Sequence, residues 1–179
     1  ATSGGNPWFA DFSLTLRAGG TLYFKGLAQY FKPEQPAINV NMQIFLPVIW
    51  QRFFAQGDFT LLRHSLKEGN DSVVQSLQLS GVTTNYMLLG YLGVALPLSK
   101  NFSVQPKLGA GYIMQTTQVS GSATGSFNNG FLAFGGGADF LLSVSKNLDV
   151  SLGLVSLGEL ENSAMTYVLQ GMLGVRLRL

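Results

Sequence analysis

The sequence predicts an all-β fold: a transmembrane, antiparallel, up-and-down β-barrel of about eight strands, with short periplasmic turns and longer outer loops. Three observations lead there. Apolar and polar residues alternate with a period of two, as in Phe12, Leu14 and Leu16 against Asp11, Ser13, Thr15 and Arg17, which marks a strand with two chemically different faces. Only 11% of residues are charged while 46% are hydrophobic, against roughly 25% charged in an average soluble domain. A soluble barrel would lack the charge to cover its exterior. Finally, no apolar run reaches the roughly 18 residues that a membrane helix needs; the nearest, Met87 to Leu98, is broken by Gly90, Gly93 and Pro97. The apolar face of each strand is therefore expected to point into lipid.

Taken in order, strands are expected near 8–24, 37–49, 52–66, 73–98, 102–119, 128–145, 148–157 and 164–179, within one domain covering 1–179. The first alternates as above. The second and third carry Asn39, Asn41, Gln43, Gln56, Asp58 and Thr60 at every other position. The fourth changes parity between Leu77, Leu79 and the later set Tyr86, Leu88, Leu92, so a bulge or bend is expected near Gly81. The fifth follows a tight turn in LPLSKNFSVQPKLGAGY (Leu96 to Tyr112), and its Pro106 is awkward in a closed sheet. The sixth and seventh form a second hairpin, FLLSVSKNLDVSLGL (Phe140 to Leu154), around the same Ser-Lys-Asn turn. The eighth sets Tyr167, Leu169, Leu173, Val175, Leu177 and Leu179 against Gln170, Met172, Gly174, Arg176 and Arg178. Longer connections are expected at Gln29–Pro36, Lys67–Ser72, Ser120–Asn129 and Gly158–Ser163. Even strand number and this turn asymmetry place both termini on the short-turn side.

Aromatic rings gather toward strand ends, as membrane interfaces favour. Trp8, Phe9, Trp50, Phe53, Phe54 and Phe102 fall at the short-turn end, and Tyr23, Phe24, Tyr30, Phe31, Tyr112, Phe131 and Tyr167 at the other. The chain opens with Ala1 to Gly5, small residues with no apolar segment before them, and reads as a mature protein whose export signal has been removed.

These hairpins and the alternating last strand resemble the small bacterial outer-membrane barrel proteins of the OmpA transmembrane domain and OmpW type. The resemblance covers nearly the whole chain and rests on architecture, not on an activity motif. It implies residence in a bacterial outer membrane, contact with outer-membrane lipid and lipopolysaccharide, and contact with other envelope proteins through outer loops or barrel wall. Such proteins commonly end in an aromatic residue; this chain ends Arg176, Leu177, Arg178, Leu179.

If apolar residues face lipid, the opposite parity lines the lumen. There the charged set is Asp11, Arg17, Asp58, Lys107, Asp139, Arg176 and Arg178, with Asp149 beside it. Charges in a narrow barrel must pair or reach water. Adjacent strands bring Lys107 near Asp139, and closure of the first strand on the last brings Asp11 near Arg176 or Arg178; an ion pair is expected at both places. An interior of about eight strands is just wide enough to be filled by side chains, so these charges read as a structural plug. Inward glycines, among them Gly109, Gly111, Gly135, Gly137 and Gly174, keep a narrow OmpW-like channel for small or hydrophobic molecules as the alternative.

Other chemistries find little support. With no cysteine and no ligand spacing among the acidic residues, neither metal nor cofactor is expected, and Glu159 and Glu161 read as loop charges. The basic residues are scattered, which argues against nucleic acid. Barrel lipases and lipid A deacylases, by resemblance, place His and Ser two apart on one strand. Here the single His64 is followed directly by Ser65, which points the other way, so no catalysis is expected. Gly135 to Gly137 is followed by strand alternation and not by a helix that could hold phosphate.

Overall fold

The computed structural model describes residues 10–24, 35–65, 80–121, 124–161 and 164–179. They form a closed antiparallel barrel of eight strands: β1 (Ala10–Phe24), β2 (Gln35–Phe45), β3 (Phe53–Ser65), β4 (Ser80–Val94, resuming at Leu96–Pro97), β5 (Phe102–Ser120), β6 (Gly125–Ser143), β7 (Leu148–Glu161) and β8 (Ala164–Arg178). Each strand pairs with its sequence neighbours, and β8 returns to β1 from Ser13↔Arg178 to Phe24↔Tyr167. Closure leaves no edge strand, so every strand has a partner on both sides. No helix among the described residues is long and apolar enough to cross a membrane, which says nothing of crossing by strands.

Hydrogen-bonded partners can be followed round the wall: Leu14, Met42, Gly57, Gly90, Ala110, Phe134, Gly158, Tyr167, and back to β1 at Phe24. The circuit rejoins β1 ten residues beyond its start. This stagger tilts the strands and fixes the height of every residue in the wall.

The two faces are inverted relative to a soluble protein. Leu108 is 74% exposed and Leu88 63%, while Ser13 and Asp139 are at most 1%. Outward apolar side chains suit a hydrocarbon surround, where each main-chain amide must be satisfied inside the sheet.

Two tight turns have a common cause. In each Ser-Lys-Asn turn the serine hydroxyl accepts a backbone amide, from Phe102 to Ser99 (3.1 Å) and from Asn147 to Ser145 (3.4 Å). The third short connection differs from expectation: β2 stops at Phe45, and residues 46–52 form a turn held by Leu46 N to Phe53 O (2.9 Å), with Val48, Ile49 and Trp50 at its exposed tip.

At the opposite end the strands run further than their polar sequences suggest. The expected loop Ser120–Asn129 shortens to 121–124, because β6 begins at Gly125. Gly121 turns the chain with φ 151°, a conformation essentially reserved for glycine. The expected loop Gly158–Ser163 shortens likewise, since β7 continues to Glu161. Gln35 and Pro36 belong to β2, while Lys67–Ser72 and the rest of 66–79 lie outside the described residues.

From Ser80 onward the expected bulge or bend near Gly81 is not found, since Gly81 pairs with Val119 in unbroken register; Leu77 and Leu79 lie outside the described residues. The interruption falls instead at Ala95, between Gly93↔Lys107 and Leu96↔Val104. By that register the gap faces Pro106, which has no amide to donate. Ala95 N turns away and donates to Arg52 O (2.8 Å).

Several inward glycines mark places where strands crowd. A Cβ on Gly174 would collide with the Leu16 carbonyl oxygen and the Arg17 Cα, whereas one on outward Gly57 would meet nothing within 4 Å. We expect Gly174→Val to lower unfolding free energy by about 1–3 kcal/mol and Gly57→Ala to change it by no more than about 0.5 kcal/mol. Urea unfolding of the micelle-folded barrel measures both; equal effects would contradict the assigned faces.

Candidate functional site: the barrel lumen

The lumen is filled in layers, ordered by strand stagger. Lowest, near the short turns, Arg176 and Arg178 of β8 converge on Asp149 of β7. Arg178 donates to Asp149 Oδ1 at 2.7 Å, and Arg176 Nε lies 3.6 Å from Oδ2. Arg176 Nη1 also spans the lumen to Gln43 of β2 (3.3 Å) and Gln105 of β5 (3.2 Å).

Above this lies a second cluster. Asp139 of β6 accepts from Arg17 of β1 at 3.0 Å and from Lys107 of β5 at 2.9 Å, and all three residues are buried. Lys107 lies 3.9 Å from Asp58 of β3 and 4.7 Å from the centre of the Tyr91 ring. Asp58 accepts from Gln56 (2.6 Å), and Arg17 Nε donates to Ser151 (2.9 Å). Two cations therefore face two carboxylates, with further hydrogen bonds from Arg17 to Ser151 and from Gln56 and Asn39 to Asp58. That satisfaction is what makes buried charge tolerable. Gly153 is the seat of the cluster, since a Cβ there would strike Arg17 Nη1 and Asp139 Oδ1.

The third layer is apolar. Leu62, Met87, Leu89, Ile113, Phe131, Leu157, Val168 and Met172 point inward and pack as one cluster. Gln170 Nε2 of β8 reaches Met87 Sδ of β4, on the opposite wall, at 3.2 Å. Above it a polar mouth holds buried Thr83, Asn85, Gln115, Glu159 and Thr166. Thr83 and Thr117 hydroxyls lie 2.9 Å apart there.

Arg17, Asp58, Lys107, Asp139 and Arg176 all lie buried in the lumen, and Arg178 lies partly buried at its short-turn mouth. Lys107 meets Asp139. Asp11 lines the same short-turn cavity as Arg176 and Arg178, but the expected ion pair with either arginine is not formed. The register shifts between Ala10 and Ser13, and Asp11 takes φ 50°, so this one-residue bulge turns it out of the inward parity to an exposed position. Among the described residues both arginines pair with Asp149 instead.

Of the interface aromatics, Trp50 sits exposed in the turn after β2, Phe102 is half-buried at the start of β5, and Tyr112 and Tyr167 are exposed on the upper wall. Trp8 lies outside the described residues. Phe54 and Phe131, expected in the belts, point inward.

Sequence reading also missed the apolar layer and Glu159, which is 1% exposed inside β7 and not a loop charge. A usable signal existed: stepping by two from Lys107 gives Gly109, Gly111, Ile113 and Gln115, all on the inward parity. The His64 side chain lies outside the described residues, and among those described no group of three or more His, Cys, Asp or Glu could hold a metal.

A closed eight-stranded sheet, apolar outside and polar within, defines the class: a small outer-membrane-type β-barrel. Comparison with known proteins gives the same fold. Neisserial surface protein A superposes with TM-score 0.67 at 13% identity, covering 96% of this chain and 99% of that one. A major outer membrane protein from Thermus thermophilus gives 0.66 at 13%, covering 95% and 100%. Ail, the attachment invasion locus protein of Yersinia pestis, gives 0.58 at 16%, covering 96% and 98%. No family model matches the chain, and no curated protein matches it in sequence.

Removing Asp139 leaves buried Arg17 without a carboxylate and Lys107 with Asp58 alone, at 3.9 Å. We expect Asp139→Ala to cost about 3–5 kcal/mol of unfolding free energy. Lys107→Met combined with Asp139→Asn should cost less than the two single changes together, with a coupling of about 0.5–3 kcal/mol. Strict additivity in urea titrations would show that the pair is not coupled.

Proposed function

We propose that this chain is a small integral barrel of a bacterial outer membrane, one domain over 1–179, that anchors and mediates contacts in the cell envelope and does not conduct. The observation that carries this reading is the filled lumen. Ion pairs bridge strands on different walls, and a cluster of inward apolar side chains packs above them; both favour an occluded lumen. The short turns face the periplasm in this reading, and the polar mouth faces outward.

The working surfaces are then the outer rim and the wall, which meet outer-membrane lipid, lipopolysaccharide and other envelope proteins. The fold shared with Ail, a protein solved with the heparin analogue sucrose octasulfate at TM-score 0.56, fits a barrel that works through its outer surface. The role is structural and non-catalytic: His64→Ala should leave lipid A and phospholipid turnover unchanged in cells expressing the protein.

Planar-bilayer recording tests occlusion. The folded protein should be electrically silent, and Asp139→Asn alone should stay silent because the apolar layer is intact. Adding Ile113→Ala and Phe131→Ala should produce discrete steps, as a dewetted constriction widens. Reproducible steps from the unaltered barrel that change with Asp139 or Lys107 would overturn the plug and establish the narrow channel.

A further inference from the structure

Around the lowest paired charges the barrel opens, at its short-turn end, into a cavity of about 540 Å³. Its charged side chains are Arg52, Lys146, Arg176 and Arg178 against Asp11 and Asp149, an excess of two positive charges. Asp149 is already engaged by Arg178, Arg176 and the Ser143 hydroxyl, which donates at 2.8 Å. Arg52 and Lys146, by contrast, have no ion pair among the described residues. Arg176, 5% exposed, borders the cavity, with its Nε turned to Asp149 Oδ2 at 3.6 Å. Its Nη1 is held by Gln43 and Gln105, which fix the guanidinium in place.

We infer that this vestibule binds a phosphate-bearing anion. A concave site with low-dielectric walls and uncompensated cations focuses positive potential. Guanidinium forks match phosphate oxygens in geometry as well as charge. A phosphate dianion would neutralise the excess of two and give the unpaired Arg52 and Lys146 an acceptor. The preceding turn, with Val48, Ile49 and Trp50 exposed, carries Arg52 from a lipid-seeking tip to the cavity rim. The anion can therefore come from two sources, a phospholipid headgroup of the adjoining leaflet or free phosphate in solution. This site stands apart from the occlusion reading, because it lies below the Asp139 cluster and the apolar layer and holds whether or not the lumen conducts.

The test titrates inorganic phosphate and glycerol phosphate, with sucrose as neutral control, into the micelle-folded barrel and follows heat and ³¹P line width. Saturable binding of both phosphates and none of sucrose is expected. Arg52→Gln with Arg178→Gln should weaken it by about tenfold or more, because two charge-assisted hydrogen bonds to the anion disappear. Lys146→Gln, at an exposed turn position, should weaken it by a smaller factor, and gel mobility with and without heating confirms that each variant is folded. Nanodiscs separate the sources: if a headgroup occupies the site, a phospholipid disc abolishes the phosphate binding seen in a phosphate-free detergent micelle; if free phosphate is the occupant, disc and micelle bind it alike. Absence of saturable binding in every setting, or equal affinity in folded variants and parent, overturns the site.

Discussion

Everything in this molecule depends on one closure, the pairing of β1 with β8. In hydrocarbon an unpaired amide or carbonyl has no water to turn to, and each costs several kcal/mol. Joining Ser13 through Phe24 to Arg178 through Tyr167 removes both edges at once. It also sets the stagger. A circuit that returns ten residues up the same strand brings residues far apart in sequence to one height, which is how Arg17, Asp58, Lys107 and Asp139 become neighbours.

The same closure decides what the interior can tolerate. Eight strands enclose a space about as wide as two facing side chains. Inward glycines such as Gly153 then become a packing requirement, because they make room for guanidinium and carboxylate groups beside them. Charge inside so narrow a tube is stable only as a satisfied network. Asp139 with its two cations meets that condition; at a separate level Asp149 pairs with two arginines and leaves positive charge in excess.

Much of this was legible in the sequence, and what was not has physical reasons. Period-two alternation showed which side chains share a face, so the inward parity of β2, β3 and β8 could be read directly, as could the meeting of Lys107 and Asp139. Asp11 could not be placed, because a single left-handed residue shifts parity without any change in composition. The outer ends of β6 and β7 read as loops because strand residues beside a polar mouth, such as Asn128, Asn129 and Glu159, have loop-like composition. The apolar layer stayed hidden for the converse reason. Ile113, Phe131 and Leu157 are chemically identical to residues that face lipid, and only their parity separates them. Pro106 was rightly identified as a difficulty in the sheet, but its resolution, a lapse in pairing at Ala95, needed the register.

The apolar cluster in the lumen acts as a spacer between two electrostatic environments. Leu62, Met87, Ile113 and Leu157 stand between the ion-paired clusters and the buried polar residues of the mouth. Coulombic coupling between the two falls with that separation.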